Sequence, residues 1–168
     1  VRLILDRHDD LRLTGKRHPY SSDYRLGIDA QGRILAYEVT FYQNSGSSSD
    51  LSTSILERSL FHATGSYAIE NVRATGLACR TNLPPFTAFR GFGGPQAMFV
   101  IEAAIARAAR ALGVPAREVQ RRNLLHEGAL FPYGMAAEDC RAARCWDEAD
   151  RRYDFADLAA RAAAHNAA

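Results

Sequence analysis

The sequence has three cysteines, Cys79, Cys140 and Cys145, an odd number with no CxxC pair among them. A disulfide scaffold is therefore not what organises the chain, and a reducing compartment, the cytoplasm, is the expectation. Cys140 and Cys145 have no second ligand pair at zinc-site spacing. His8, His18, His62, His126 and His165 are scattered, with no HxH or HExxH among them, so none is given a metal role. Charge of one sign is missing too. A formal net charge of +2 carries no strong electrostatic case for nucleic acid or an anionic membrane. Arg107, Arg110, Arg117, Arg121 and Arg122 could make a basic face, but Glu102 and Glu118 dilute it to solvated surface. No apolar run approaches the ~20 residues of a membrane span, and no basic, apolar, small-residue leader is visible. The chain starts at Val1, without methionine, in the middle of a strand-like pattern, and is expected to be a piece of something longer.

What is present is enough for a core. The 168 residues are 47% hydrophobic, which suits one globular domain. Residues 1–8, "VRLILDRH", alternate Val1, Leu3 and Leu5 with their neighbours and predict a strand. "DYRLGIDAQGRILAYEVTFYQN" predicts a hairpin over the turn Asp29 to Gly32, with Tyr37, Val39 and Phe41 on one face. A helix is expected over 51–62, then a strand over 69–82 interrupted at Gly76, stopped by Pro84 and Pro85. Pro95 and Gly113 bracket an alanine-rich helix, and a further helix begins near Pro115. Residues 131–140 read as a loop, and helical runs at 146–152 and 154–166 close the chain. Strands first and helices last predict an α+β fold, with a mostly antiparallel sheet and helices concentrated in the C-terminal half.

The most unusual stretch is "AFRGFGGPQ", residues 88–96, where glycines at 91, 93 and 94 surround Arg90 and Phe92 just before a helix. Glycine permits positive φ and close approach of a ligand to the backbone. A helix start adds unpaired N–H groups that favour an anion. Phe92 is free to offer a ring face, and the Arg90 guanidinium suits phosphate or carboxylate. The spacing alone decides nothing. It is neither the GxGxxG of a dinucleotide site nor a P-loop, and a tight turn with Phe92 buried and Arg90 solvated fits the same residues. Glu57 and Arg58, adjacent on a helix, do not face each other and read by default as a solvent-facing charge pair.

Four words in order change the weighting: "ILERSLFH" (55–62), "CRTNLPPFTAFRGFGGPQ" (79–96), "RRNLL" (121–125) and "RCWDE" (144–148). Together they resemble the molybdenum-binding part of the molybdenum hydroxylase family, in its xanthine dehydrogenase branch, over nearly the whole chain. The resemblance implies hydroxylation of a purine, xanthine or hypoxanthine, at a molybdenum–molybdopterin cofactor. It also implies iron–sulfur clusters and FAD in other parts of the parent enzyme. Residue by residue, it implies that the main chain of Arg90 lies against the molybdenum centre and that Gly91 gives clearance. Arg90, Gly91, Phe92 and Gly93 together form the cofactor wall, and the Phe92 ring also helps sandwich the flat substrate. Arg58 becomes the catalytic and substrate-binding arginine that faces the purine and stabilises charge as the ring is attacked.

Within the family, aldehyde oxidases resemble the glycine loop but usually lack an arginine at the position of Arg58, and carbon monoxide dehydrogenases depart in the loop itself. An aldehyde or N-heterocycle hydroxylase and a non-catalytic binding module are the alternatives. Pro85 and Phe86 depart from the smaller polar residues that family members commonly have there. The family's catalytic glutamate belongs to a segment outside these residues, so residues 1–168 are expected to be one segment of a larger molybdopterin-binding domain, inactive alone. Its partners would be the rest of that domain and the iron–sulfur and FAD parts, with no nucleic acid and no membrane.

Overall fold

The computed structural model describes residues 1–167. Its clearest local feature is the hairpin of β1 (Tyr20–Ile28) and β2 (Ile34–Gly46), which pair antiparallel with Tyr24 opposite Val39. The turn is organised by Asp29, whose Oδ1 accepts from the N–H groups of Gln31 (3.0 Å) and Arg33 (2.7 Å). Side-chain acceptors of this kind are why aspartate favours turns. Along β2 the alternation is carried through: Tyr37, Val39, Phe41 and Gln43 are buried while the residues between them stay partly exposed.

From Gly46 the chain enters α2 (Ser52–Phe61) and returns as β3 (Asn71–Arg80), which lies parallel to β2. The sheet, in order β1-β2-β3, therefore holds one antiparallel and one parallel pair. The expectation of a mostly antiparallel sheet is corrected. A strand, a helix and a strand in sequence form a crossover, and a crossover connects parallel neighbours. Strand β3 also runs without a break through Gly76. A Cβ there would meet Leu56 of α2 at 2.9 Å, so glycine lets the helix settle on the sheet.

The opening segment is the second correction. Residues 1–6 form no strand, and α1 (Arg7–Leu13) follows, capped by Asp6, whose side chain accepts from the Asp9 N–H at 2.9 Å. Val1, Leu3 and Ile4 are exposed and meet no sheet edge among the described residues, so their alternation has nothing to pair with. Beyond β3 come α3 (Gly94–Leu112), α4 (Ala116–Arg122), α5 (Ala142–Tyr153) and α6 (Phe155–Ala167). Among the described residues, four of the six helices thus lie in the C-terminal half, as expected. Helix α3 presents Ala97, Val100, Ile101, Ala104 and Ile105 as one buried stripe. With Leu56 of α2 and the inward face of β2, that stripe makes the core. No helix among the described residues is long and apolar enough to cross a membrane.

Candidate functional site

The glycine loop is a run of left-handed backbone. Gly91, Phe92 and Gly93 have φ of 90°, 48° and 94°. For a residue as large as phenylalanine that region is a genuine outlier, held only because its surroundings determine it. Two tight turns hold it here: Phe92 N–H donates to the Phe89 carbonyl (2.8 Å) and Gly94 N–H to the Gly91 carbonyl (3.0 Å). The missing side chains have an internal reason. A Cβ on Gly93 would stand 2.1 Å from the Ile55 carbonyl oxygen, and one on Gly91 2.5 Å from Cγ of Pro95. Glycine at these two positions lets α2 press on the loop and lets the loop fold back onto the start of α3.

The fastening between α2 and the loop is Ser59. Its buried Oγ lies 3.0 Å from the Gly93 carbonyl, 3.1 Å from the Ile55 carbonyl and 2.9 Å from the Tyr20 hydroxyl. A serine has one hydrogen to give, so it donates to one carbonyl at a time while Tyr20 donates to it. Burial pushes the Tyr20 hydroxyl above its ordinary range, which keeps its proton in place for that role. Ser59 and Tyr20 sit on elements that sequence patterning finds, but their meeting spans 39 positions of chain and leaves no local signal. Arg17 is likewise unannounced; it donates through Nη2 to the Arg90 carbonyl at 2.5 Å.

The residues singled out from sequence fall as follows. Arg90 gives its carbonyl to Arg17 and is itself exposed. Phe92 is half-buried, beside a gap too small for water that His18, Ile55, Thr87 and Phe89 also line. Arg58 is exposed on α2, one position before Ser59, and among the described residues its guanidinium has no hydrogen-bond or ion-pair partner. The Arg58 carbonyl lies 2.9 Å from Nδ1 of His62, whose ring packs against Gly94. The helix bearing Arg58 and the loop bearing Phe92 are thus brought together through Ser59. No cation–π contact joins the two side chains among the described residues. Pro84 and Pro85 are wedged over Gly46 and Gly15, and Phe86 lies 6.1 Å from the His18 ring, so this stretch is packed against the chain before β1 and the end of β2.

Among the described residues no cluster of His, Cys, Asp or Glu could hold a metal ion, and no carboxylate hydrogen-bonds to the loop. A metal at this surface would have to arrive with its own organic ligand. The loop fits such a group through its backbone: Arg90 and Gly91 are exposed residues whose N–H groups have no acceptor among the described residues. Oriented amides of this sort receive electronegative oxygens.

Residues 1–124, which include the loop, α2 and the whole sheet, match the family described as molybdopterin cofactor-binding domain. The chain belongs to that family. As a molybdopterin cofactor-binding domain it is 47% identical over 148 residues to the xanthine dehydrogenase/oxidase of Mus musculus, covering 88% of this chain and 11% of that protein. Against the xanthine dehydrogenase of Oryza sativa subsp. japonica it is 43% identical with the same coverage. It therefore spans about a tenth of the length of these relatives. Among solved structures, the aldehyde oxidoreductase of Desulfovibrio gigas superposes with a TM-score of 0.81 at 28% identity, over 88% of this chain and 16% of that one. Quinoline 2-oxidoreductase from Pseudomonas putida 86 also gives 0.81, covering 97% of this chain and 22% of that one. At 22% identity it speaks for the fold alone.

Proposed function

We propose that this molybdopterin cofactor-binding segment supplies one wall of the catalytic site of a purine hydroxylase. The observation that carries the reading is Arg58: exposed, with no hydrogen-bond or ion-pair partner for its guanidinium among the described residues, on a helix fastened by Ser59 to the glycine loop. An exposed cation on a helix fastened to a binding loop is suited to charge that develops on a substrate. Phe92, partly free of the core, stacks the flat ring. The N–H groups of Arg90 and Gly91 would hold the cofactor by donating to its electronegative atoms. When bound, the molybdenum–pterin group supplies the nucleophile and the two-electron acceptor, chemistry that is the cofactor's own. The base that takes the proton, the second half of the stack and the onward route through iron–sulfur clusters and FAD lie in the remainder of a larger cytoplasmic enzyme. The relatives named as xanthine dehydrogenases favour xanthine or hypoxanthine as substrate. The structural likeness to an aldehyde oxidoreductase supports aldehyde hydroxylation as the second reading.

Arg58→Met in the complete protein that carries this segment separates the two readings. On the purine reading, kcat/KM for xanthine falls by roughly 10²–10³, the size of losing one transition-state donor, while turnover of an aromatic aldehyde is kept. Equal turnover of xanthine by variant and parent would reduce Arg58 to a surface charge and the assignment to an unspecified molybdenum hydroxylase.

A further inference from the structure

The peptide between Arg90 and Gly91 has two ends, and only one is occupied. Its oxygen accepts from Nη2 of Arg17 at 2.5 Å. Its N–H, on Gly91, has no acceptor among the described residues. No cis peptide bond occurs among the described residues. In a planar trans peptide the carbonyl and the N–H point in opposite directions, so whatever fixes the oxygen also aims the hydrogen. Without a fixture this unit would be easy to turn over. Gly91 sits at φ 90°, and glycine takes either sign of φ at little cost, so the plane can rotate without moving its neighbours.

Arg17 is placed to prevent that rotation. It precedes β1, and its half-buried guanidinium is held on three sides. Nη1 donates to Oε1 of Gln96 (3.4 Å), Nη2 to the Arg90 carbonyl, and the plane lies over the Phe89 ring at 4.4 Å from its centroid. The neighbours of Arg17 fasten both ends of the same loop. Thr87 N–H donates to the Lys16 carbonyl at 3.1 Å, and Gln96 Nε2 donates to the His18 carbonyl at 3.4 Å. Residues 16–18 thus grip the chain before the left-handed run, at its entry and after it. A planar fork can hold a carbonyl, an amide oxygen and a ring face at once, and a lysine ammonium cannot. The cation also polarises the peptide it binds and strengthens its free N–H as a donor.

We propose that Arg17 is a positioning residue. It locks the Arg90–Gly91 peptide so that the Gly91 N–H points out of the loop as a fixed donor to an electronegative oxygen at the site. This rests on the reading of the loop as a cofactor wall, and it assigns to Arg17 the orientation of that wall. Arg17 touches neither substrate nor cofactor in this role; it acts through the main chain of Arg90.

The test uses the complete, cofactor-loaded protein with Arg17→Met, Arg17→Lys and, as a control on the outer face of the sheet, Arg25→Met. Amide hydrogen exchange is read on a peptide covering 88–96. Arg17→Met is expected to speed exchange there by about tenfold or more while the core strand 34–46 keeps its protection. Xanthine kcat is expected to fall ~10–100-fold with little change in KM, as for an angstrom-scale misplacement, and the molybdenum electron paramagnetic resonance signal to shift. Arg17→Lys should fall between the two and Arg25→Met should match the parent. If the variant refolds poorly, strand 34–46 loses protection as well; that result, or unchanged exchange over 88–96, overturns the proposal. Failure of the purine reading looks different, because Arg58→Met would then leave xanthine turnover intact whatever Arg17→Met does to the loop.

Discussion

At the scale of single residues, stability and chemistry separate cleanly around the loop. Gly93 is a stability residue. A methyl group there meets the Ile55 carbonyl oxygen at 2.1 Å and Ser59 Oγ at 2.7 Å, on a backbone with φ 94°. Left-handed backbone costs a non-glycine residue about 1–2 kcal/mol, and overpacking against a fixed carbonyl adds about 1–3 kcal/mol. Gly93→Ala is therefore expected to lower unfolding stability by about 2–5 kcal/mol, read as a lower urea midpoint at unchanged slope. Arg58 is the reverse case. Its guanidinium is exposed and unpaired among the described residues, so removing it should move stability by no more than about 0.5 kcal/mol. A loss of activity in Arg58→Met can then be read as chemistry. Both residues belong to recognisable words in the sequence, yet the fold sets one of them against its own neighbours and leaves the other without a partner among the described residues.

At the scale of elements, the hairpin and α3 were legible because each carries its own punctuation. Asp29 supplies acceptors to its own turn, Pro95 opens the helix, and Gly113 at φ 70° closes it. The sense of β3 was not legible from its residues, since parallel and antiparallel neighbours share an alternating pattern; only the helix before it held the information. The opening strand was misread because Val1, Leu3 and Leu5 alternate without an edge to meet, while Asp6 three positions before Asp9 was the better signal, for a cap. In the candidate site, Arg90, Phe92 and Arg58 stood out through resemblance. Arg17 and Ser59 did not, since their contacts with the loop cross 73 and 34 positions. Asn123, inside the word "RRNLL", shows what else such a word encodes. Its Oδ1 accepts from Ile34 N–H at 2.8 Å, and Nδ2 lies 2.8 Å from the Gly32 carbonyl and 2.7 Å from that of Val119. One buried amide so joins the end of the hairpin to α4. Asn123→Ala leaves these main-chain groups without that partner and is expected to cost about 2–4 kcal/mol. In a domain of this size that is a fall in Tm of roughly 5–15 °C, measurable by calorimetry.

At the scale of the whole molecule, the core and the surface make opposite statements. Tyr37, Phe41, Ile55, Ile101 and Ile105 are fully buried, so the segment has a centre of its own. Yet Phe99 is 74% exposed, Phe61 and Phe89 are about half exposed, and α5 and α6 bury nothing. Phe61 meets the ring of Tyr133 edge-on at 4.9 Å, and Tyr133 stacks on Phe131 at 5.3 Å, an aromatic cluster formed at the surface. Both β1 and β3 are edges of the sheet among the described residues. Large apolar patches and bare strand edges are what a protein covers, by more of itself or by another copy. A segment spanning 11% of its relatives' length would meet the first condition inside a longer chain and only the second when alone. The isolated 168 residues are accordingly expected to fold about this core, to self-associate in light scattering, and to retain far less than one molybdenum per chain by elemental analysis after purification from cells that make the cofactor. A monodisperse monomer would mean that the exposed rings are ordinary surface. Stoichiometric molybdenum would mean that the loop amides and their neighbours hold the cofactor without the walls assigned to the rest of the enzyme, and the division of the site between this segment and its surroundings would have to be redrawn.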